Sequence, residues 1–369
     1  MGKPRIIAFY LPQFHSFKEN DEWWGKGFTE WTNVGKAKAL FKGHDQPRVP
    51  TELGYYNLKM PSVREEQAQL AREAGVEGFM YWHYWFGGGR KLMTDIIEEV
   101  QRTGRPDFPF CIGWANHSWY AKNWNPDGTT SNRVLCEQTY PGDEDARDYF
   151  DSLLPLFSDS RYIKVDGKPL MLIYDPAAVP ERYMQLFRKW AVEAGFPGIF
   201  FVCYIADPRK EKQPFLDKGF DMVLFQRLTP PASALEKKLG IVGKIIRHAW
   251  KRGIGFLRHR PPFCYPYRKV YPTLVTPAEK EADVAPVLLP QWDHTPRSGW
   301  NGILLHDARP EYFYRHAKMA IDAVKEKPQE HQIIFLKSWN EWGEGNYMEP
   351  DLSHGRGYID ALRKAVDEA

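Results

Sequence analysis

The chain has 369 residues, 43% hydrophobic and 26% charged, with 50 Lys and Arg against 47 Asp and Glu and a formal net charge of +3. That supplies apolar residues for a large core and argues against disorder, while the balanced charge excludes a nucleic-acid binder recognisable by electrostatics, so no nucleic-acid partner is expected. Fourteen Trp exceed ordinary core needs, and many stand beside Asn, His, Gly and Glu, the composition of a carbohydrate-binding cleft, although large barrels also bury many aromatics.

The first strand-like run is Arg5–Leu11, broken by Pro12 and Gln13 with no small-residue cleavage site after it, so it is not expected to be a secretory signal. Ile6 stands where myristoylation of Gly2 would want Ser or Thr. His15 closes the run, either orienting substrate or making a structural hydrogen bond. Ser16–Pro61 is then a long insertion rich in Trp, Gly and Pro, of a length usually found in functional loops or lids; it contributes Trp31 and, as a weaker candidate, Glu30.

The next strand-like runs are Val76–Trp82, Phe108–Trp114, Pro169–Tyr174, Gly198–Tyr204, Phe220–Gln226, Val287–Trp292 and Gln332–Trp339. Helical segments alternate with them: Ser62–Ala74, with Ser62 and Glu65 at capping-box spacing, Lys91–Thr103, Asp143–Phe157, Glu181–Ala194 and Pro310–Lys325. Two stop at Gly75 and Gly195, as helix C-termini do. Eight β/α alternations predict an α/β fold, a single (β/α)8 TIM-type barrel over residues 1–369, with long insertions after strand 1 and between strands 6 and 7.

Such barrels place their active sites at the C-terminal ends of the strands, and the polar and aromatic residues collect there. His83, Tyr84 and Trp85 follow the second strand, Asn116, His117 and Trp119 the third, Asp293 and Arg297 the seventh. Asp293 and Arg297 suit either sugar hydroxyls or an anionic group, or an internal ion pair fixing their loop. Residues 228–283 form the second insertion; Leu228–Val270 carries ten Lys and Arg against one Glu and interleaves apolar residues, as a basic amphipathic surface helix does. It suits an anionic membrane surface or lipid-linked glycan, or simply a helical hairpin packed on the barrel.

The eighth strand delivers Asn340, Glu341, Trp342 and Glu344. Two carboxylates three residues apart at a strand exit, among Trp, Gly and Asn, suit acid and base chemistry on a sugar; alone, the segment could also be an acidic surface turn. Glycosidic chemistry needs two carboxyl groups, usually on opposite faces of the ring and from different strands. Two on one loop address neighbouring atoms instead, such as a ring hydroxyl and the departing oxygen. Cys111, Cys136, Cys203 and Cys264 are widely spaced and predict neither zinc site nor disulfide framework. His15, His83, His117 and Asp293 lack close metal-ligand spacing, and no phosphate-cradling motif occurs; no metal or cofactor is expected.

The segment from Ser338 to Asp351, SWNEWGEGNYMEPD, resembles the terminal motif of the WbsX-like proteins, which are similar to glycoside hydrolase family 99, the endo-α-mannosidases and endo-mannanases. Residues Ala8–His15, Trp24–Trp31, Tyr84–Phe86 and Trp292–Arg297 extend the resemblance over nearly the whole chain. It implies a (β/α)8 barrel and a retaining, endo-acting hydrolase in which the sugar's 2-hydroxyl, deprotonated by Glu341, attacks the anomeric carbon to give a 1,2-anhydro sugar. Glu344 would serve the leaving group and then water. The chain departs from the family where an acidic residue is expected after Trp114-Ala115-Asn116 and His117 stands instead, which bears on substrate identity. WbsX-like proteins are also placed in surface-polysaccharide biosynthesis as glycosyltransferases, so transfer in O-antigen or capsule assembly is the second expectation and a non-catalytic sugar binder the third. The implied location is cytoplasmic, at most peripheral to the inner membrane face, and the implied partner an oligo- or polysaccharide.

Overall fold

A computed structural model describes residues 2–124, 130–207, 210–228, 249, 252–253 and 259–369. Eight strands run parallel around a barrel: β1 (Arg5–Tyr10), β2 (Gly78–Trp85), β3 (Phe110–Trp114), β4 (Lys168–Ile173), β5 (Phe200–Ile205), β6 (Met222–Phe225), β7 (Val284–Ala285 and Val287–Leu288) and β8 (Ile333–Leu336). Each pairs with the next from β1 to β6, and β8 pairs back onto β1. Pro286 splits β7: its first half pairs with β6 and its second with β8, which closes the sheet. Proline has no N–H for the ladder, so the strand changes neighbour there, while the Pro286 carbonyl still accepts from the Phe335 amide at 3.0 Å.

The strands are apolar along both faces because helices cover the outside and side chains fill the inside. Within the barrel the Phe9 ring meets Trp82 at 5.1 Å, Phe335 at 5.8 Å and Tyr204 at 6.3 Å, a packed aromatic floor beneath the strand ends. Outside lie α1 (Pro61–Ala74), α2 (Asp95–Thr103), α3 (Asp143–Phe157), α4 (Glu181–Glu193), α5 (Gln213–Asp217), α6 (Pro310–Val324) and α7 (Gly357–Asp367). α3 packs on α4, α6 on α7, and α7 on α1, joining the two ends of the chain.

Four local expectations are corrected. The Ser62/Glu65 capping box does not form; α1 starts at Pro61, whose fixed φ and missing N–H suit the first helical position. Lys91 is not helical: Lys91–Leu92 pairs antiparallel with Tyr84–Trp85, and the helix begins at Asp95. β2 runs through Trp85 rather than stopping at Trp82, and β7 ends at Leu288 rather than Trp292.

Most of the basic segment, residues 229–248, lies outside the described residues. Downstream of it, Tyr265, Tyr267, Val270 and Leu274 pack with Leu289, Trp292 and Leu305 in a second apolar cluster beside the barrel. No helix among the described residues is long and apolar enough to cross a membrane.

Candidate active site

The loop leaving β8 is pinned before it can present anything. The Asn340 side chain accepts from the Leu11 amide at 2.7 Å and donates to the Leu11 carbonyl at 3.0 Å, copying a strand pair at the mouth of β1. Asn340–Glu341 then pairs antiparallel with Asn346–Tyr347, and Gly345 makes the turn at φ 54. A Cβ on Gly345 would lie 2.7 Å from that of Asp293, so only glycine fits there. Trp342 lies flat on Tyr347, 3.6 Å between ring centres, and donates to Glu349 at 2.6 Å. Glu349 also accepts from Gln67 and Tyr56; burial pushes its carboxyl up to about 7. The loop is thus held rigidly from below, and its two remaining carboxylates face outward.

Those two, Glu341 and Glu344, meet on Arg297. Its Nη2 donates to Glu341 Oε1 and its Nη1 to Glu344 Oε1, each at 2.7 Å, while Glu30 Oε2 lies 2.9 Å from Nη2. His294 Nε2 stands 3.5 Å from Glu344. Burial, reinforced by Glu344 and Glu30 against the pull of Arg297, raises the Glu341 carboxyl to about 8. Burial acts on Glu344 too, but Arg297 and the His294 contact outweigh it and hold that carboxyl at about 2. Burial thus pushes Glu341 toward its protonated form while Arg297 holds Glu344 toward its ionised form, an arrangement that favours one proton on the pair near neutrality.

Around them opens a cleft of about 680 Å³. Trp82 and Tyr84 of β2, His117 and Trp119 after β3, Tyr174 after β4, His294 and Arg297 after β7, and Lys337 after β8 all line it. Trp24, Phe28 and Glu30 from the β1 insertion form part of the wall, and Trp24 and Tyr120 are each about half exposed. Exposed aromatic faces beside clustered hydrogen-bonding groups suit sugar rings, which have apolar faces and polar edges. Lys337 is buried; its ammonium donates to Tyr204 Oη at 2.7 Å and sits over the Trp292 ring, and burial lowers its pKa. Burial likewise lowers the pKa of His117, whose imidazole packs 4.8 Å from Tyr174.

Tyr84, His117, Trp119, Arg297, Glu341 and Glu344 are thus brought together, while the other residues expected in the site stand behind the wall. His83 packs on Tyr149 with Nδ1 3.1 Å from its hydroxyl, and Trp85 donates to Asp145. Asn116 ties the Asp175 backbone to Tyr140, and His15 contacts Asp95 at 3.4 Å. Trp31 donates to the Tyr56 carbonyl at 2.7 Å, and Trp342 and Asn340 belong to the loop's own scaffold. None of these lines the cleft.

Asp293 also turns away, accepting from Gln46 and Thr295 and facing His44 Nε2 at 2.9 Å. Against burial, His44, Arg48, Gln46 and Thr295 hold its carboxyl at about 2. A depressed carboxyl adds stability above its unfolded pKa and loses it as pH falls through the folded one. Asp293→Asn should therefore cost on the order of 2 kcal/mol at pH 7, with the difference from wild type vanishing between about pH 4 and pH 2. Urea unfolding across that range measures it; a pH-independent difference contradicts the assignment.

Among the cleft-lining residues missed from sequence are Lys337, His294, Tyr174 and Trp82, with Trp24 and Phe28 of the β1 insertion. Trp82, His294 and Lys337 each sit within three positions of one that was chosen, whereas Tyr174 has no chosen neighbour in the sequence.

The family described as Glycosyltransferase WbsX matches residues 6–362. WxcX of Xanthomonas campestris pv. campestris, described as an uncharacterized protein, is 33% identical over 378 residues, covering 99% of this chain and 50% of its own. The chain spans about half the length of the curated relatives it matches. Among solved structures, a GH99 endo-α-mannosidase from Bacteroides thetaiotaomicron in complex with bis-tris-propane superposes with a TM-score of 0.56 at 16% identity, covering 99% of this chain and 96% of that one. A glycoside hydrolase-like protein gives 0.58 at 16% identity, covering 99% and 94%. At such identity these likenesses speak to the barrel fold.

Proposed function

This chain belongs to the WbsX glycosyltransferase family, and from that premise we propose that it is a carbohydrate-active enzyme, a retaining, endo-acting glycoside hydrolase on α-mannoside-like or bacterial surface polysaccharide. The observation that carries the reading is the Glu341–Arg297–Glu344 arrangement at the C-terminal end of β8, opening into an aromatic-lined cleft.

In the proposed first step Glu341 takes the proton of the sugar's 2-hydroxyl, O2 attacks C1, and the C1–O bond to the leaving sugar breaks as Glu344 protonates the departing oxygen. The product is a 1,2-anhydro sugar. In the second step Glu344 deprotonates water, which attacks C1, and Glu341 returns its proton to O2. Two inversions give retention. Backside attack needs O2 opposite the leaving group, the arrangement in an α-mannoside. One proton on the pair is what this scheme requires, although burial favours it on Glu341 and Arg297 disfavours it on Glu344. A substrate hydroxyl donating to Glu341 favours its ionised form, so binding supplies the transfer to Glu344.

The test is incubation with α-mannans and bacterial surface glycans, and separately with sugar nucleotides plus acceptor glycan, followed by mass spectrometry. Shorter oligosaccharides of retained configuration are expected from the first. Nucleotide release coupled to chain growth would overturn hydrolysis and favour the second reading, a glycosyltransferase or transglycosylase of O-antigen or capsule assembly. The family's description supports that second reading, as does chemistry in which a sugar hydroxyl replaces water in the second step. Residence in the cytoplasm, with the basic 228–270 segment against the inner membrane or a lipid-linked glycan, is a proposal from sequence alone. It predicts salt-sensitive binding to anionic vesicles that is lost on deleting residues 235–260; vesicle binding unchanged by the deletion contradicts it.

A further inference from the structure

Two carboxylates suffice for the proposed chemistry, yet three converge on Arg297. The third, Glu30, opens the short helix Glu30–Gly35 in the insertion after β1 and is buried. Its Oε2 grips the Nε and Nη2 edge of the guanidinium, at 3.3 and 2.9 Å, and its only other side-chain neighbour at hydrogen-bond distance among the described residues is Asn33, at 3.4 Å. The catalytic loop is built to admit it. A Cβ on Gly343, between Glu341 and Glu344 in the chain, would lie 2.2 Å from Glu30 Oε2 and 3.0 Å from Arg297 Nε. Gly343 has no left-handed φ to explain its identity, so its missing side chain serves this approach. A buried third carboxylate adds a desolvation cost that an apolar residue would avoid.

We propose that Glu30 is a positioning residue, which fixes the Arg297 guanidinium between Glu341 and Glu344 and by its charge keeps one proton on that pair. Arg297 must reach both carboxylates without favouring one side chain's drift, and a carboxylate on its Nε edge fixes the plane of the fork. A negative charge beside the pair also opposes its full ionisation. The other groups facing Glu341 are Glu344 on its own loop, His294 and Arg297 after β7, Lys337 after β8, Tyr84 of β2 and Tyr174 after β4. Of these neighbours only Glu344 is also a carboxylate, so Glu30 is the second source of like charge.

The kinetic part of the inference rests on the acid–base reading above; the titration part does not. With carbon-13 in the glutamate carboxyls, the Glu341 signal, assigned by its loss in Glu341→Gln, is followed against pH by NMR in the absence of substrate. In Glu30→Gln the midpoint should move to lower pH by about one unit. Gly343→Ala, which displaces the Glu30 carboxylate while deleting no charged group, should move it in the same direction by less, and serves if Glu30→Gln does not fold. On a turned-over glycan, Glu30→Gln should lower kcat about 10- to 100-fold with KM nearly unchanged. A midpoint unmoved in folded Glu30→Gln or Gly343→Ala protein overturns the inference. A midpoint that moves in protein inactive on every glycan sustains it and removes the hydrolase reading instead.

Discussion

Glu341→Gln should lower kcat on an α-mannoside-like glycan by about 10³- to 10⁴-fold, and a better leaving group should not restore it. The amide occupies the same space and still accepts from Arg297, but it cannot take the proton of the 2-hydroxyl, so the attack on C1 lacks its base whatever departs. Glu344→Gln should be as slow on the natural glycan and yet cleave the matching glycosyl fluoride at near wild-type rate in the first step, because fluoride leaves without a proton. The second step then slows, since Glu344 no longer activates water, and a pre-steady-state burst of fluoride should precede the slow turnover. Fluoride rescue of Glu341→Gln, with none for Glu344→Gln, would exchange the two roles, which is the order that the resting electrostatics favour: Glu341 raised to about 8 and Glu344 held at about 2. Full activity in both variants removes the pair from the chemistry.

The barrel was legible because parallel strands covered on both faces read as unbroken apolar runs, and all eight appear in the expected order. Their ends were less legible. Pro286 breaks the run of β7, so the apolar stretch after it, ending at Trp292, looks like the strand although ladder pairing begins at Val284. At β2 the error ran the other way. His83, Tyr84 and Trp85 look like a loop of polar and aromatic residues but continue the strand.

That misplacement explains two of the eight expected site residues that stand behind the wall. Within a strand, neighbours point to opposite faces, so Trp82 and Tyr84 face the cleft while His83 and Trp85 turn out onto α3. The same alternation separates Glu341 from Asn340 in the short strand pair after β8, whereas Asn116 and His117, and Asp293 and His294, part in the loops beyond β3 and β7. Residue type alone cannot choose within such pairs; within a strand parity can, once the strand end is known. Glu30 was harder to see, because nothing local links the helix Glu30–Gly35 to a loop near the other end of the chain. The glycine between Glu341 and Glu344 was the only trace of the approach.

Arg297→Met should be the most disruptive single change in the cleft. It leaves Glu30, Glu341 and Glu344 around a partly dry site with no guanidinium to divide among them, a loss of about 3–5 kcal/mol at pH 7 if the carboxylates stay charged. They will not all stay charged, so the pH dependence reports the cause. In the wild type Glu344 is depressed and contributes stability that is present above about pH 4.5 and lost as pH falls toward 2. Without Arg297, burial raises Glu344 as it already raises Glu341, and a carboxyl raised in the folded state favours folding at low pH and loses that contribution as pH rises. The variant should therefore unfold more easily than wild type at pH 7 to 8 and approach it only as pH falls from about 4 toward 2, as followed by denaturant unfolding at each pH. A defect due to lost packing alone would be the same at every pH. Adding Glu30→Gln to Arg297→Met should recover part of the stability at pH 7, since one source of uncompensated negative charge is then gone; no recovery would mean that Glu30 already lies protonated or turned away once the guanidinium is removed, and the three-carboxylate account of the site would fail.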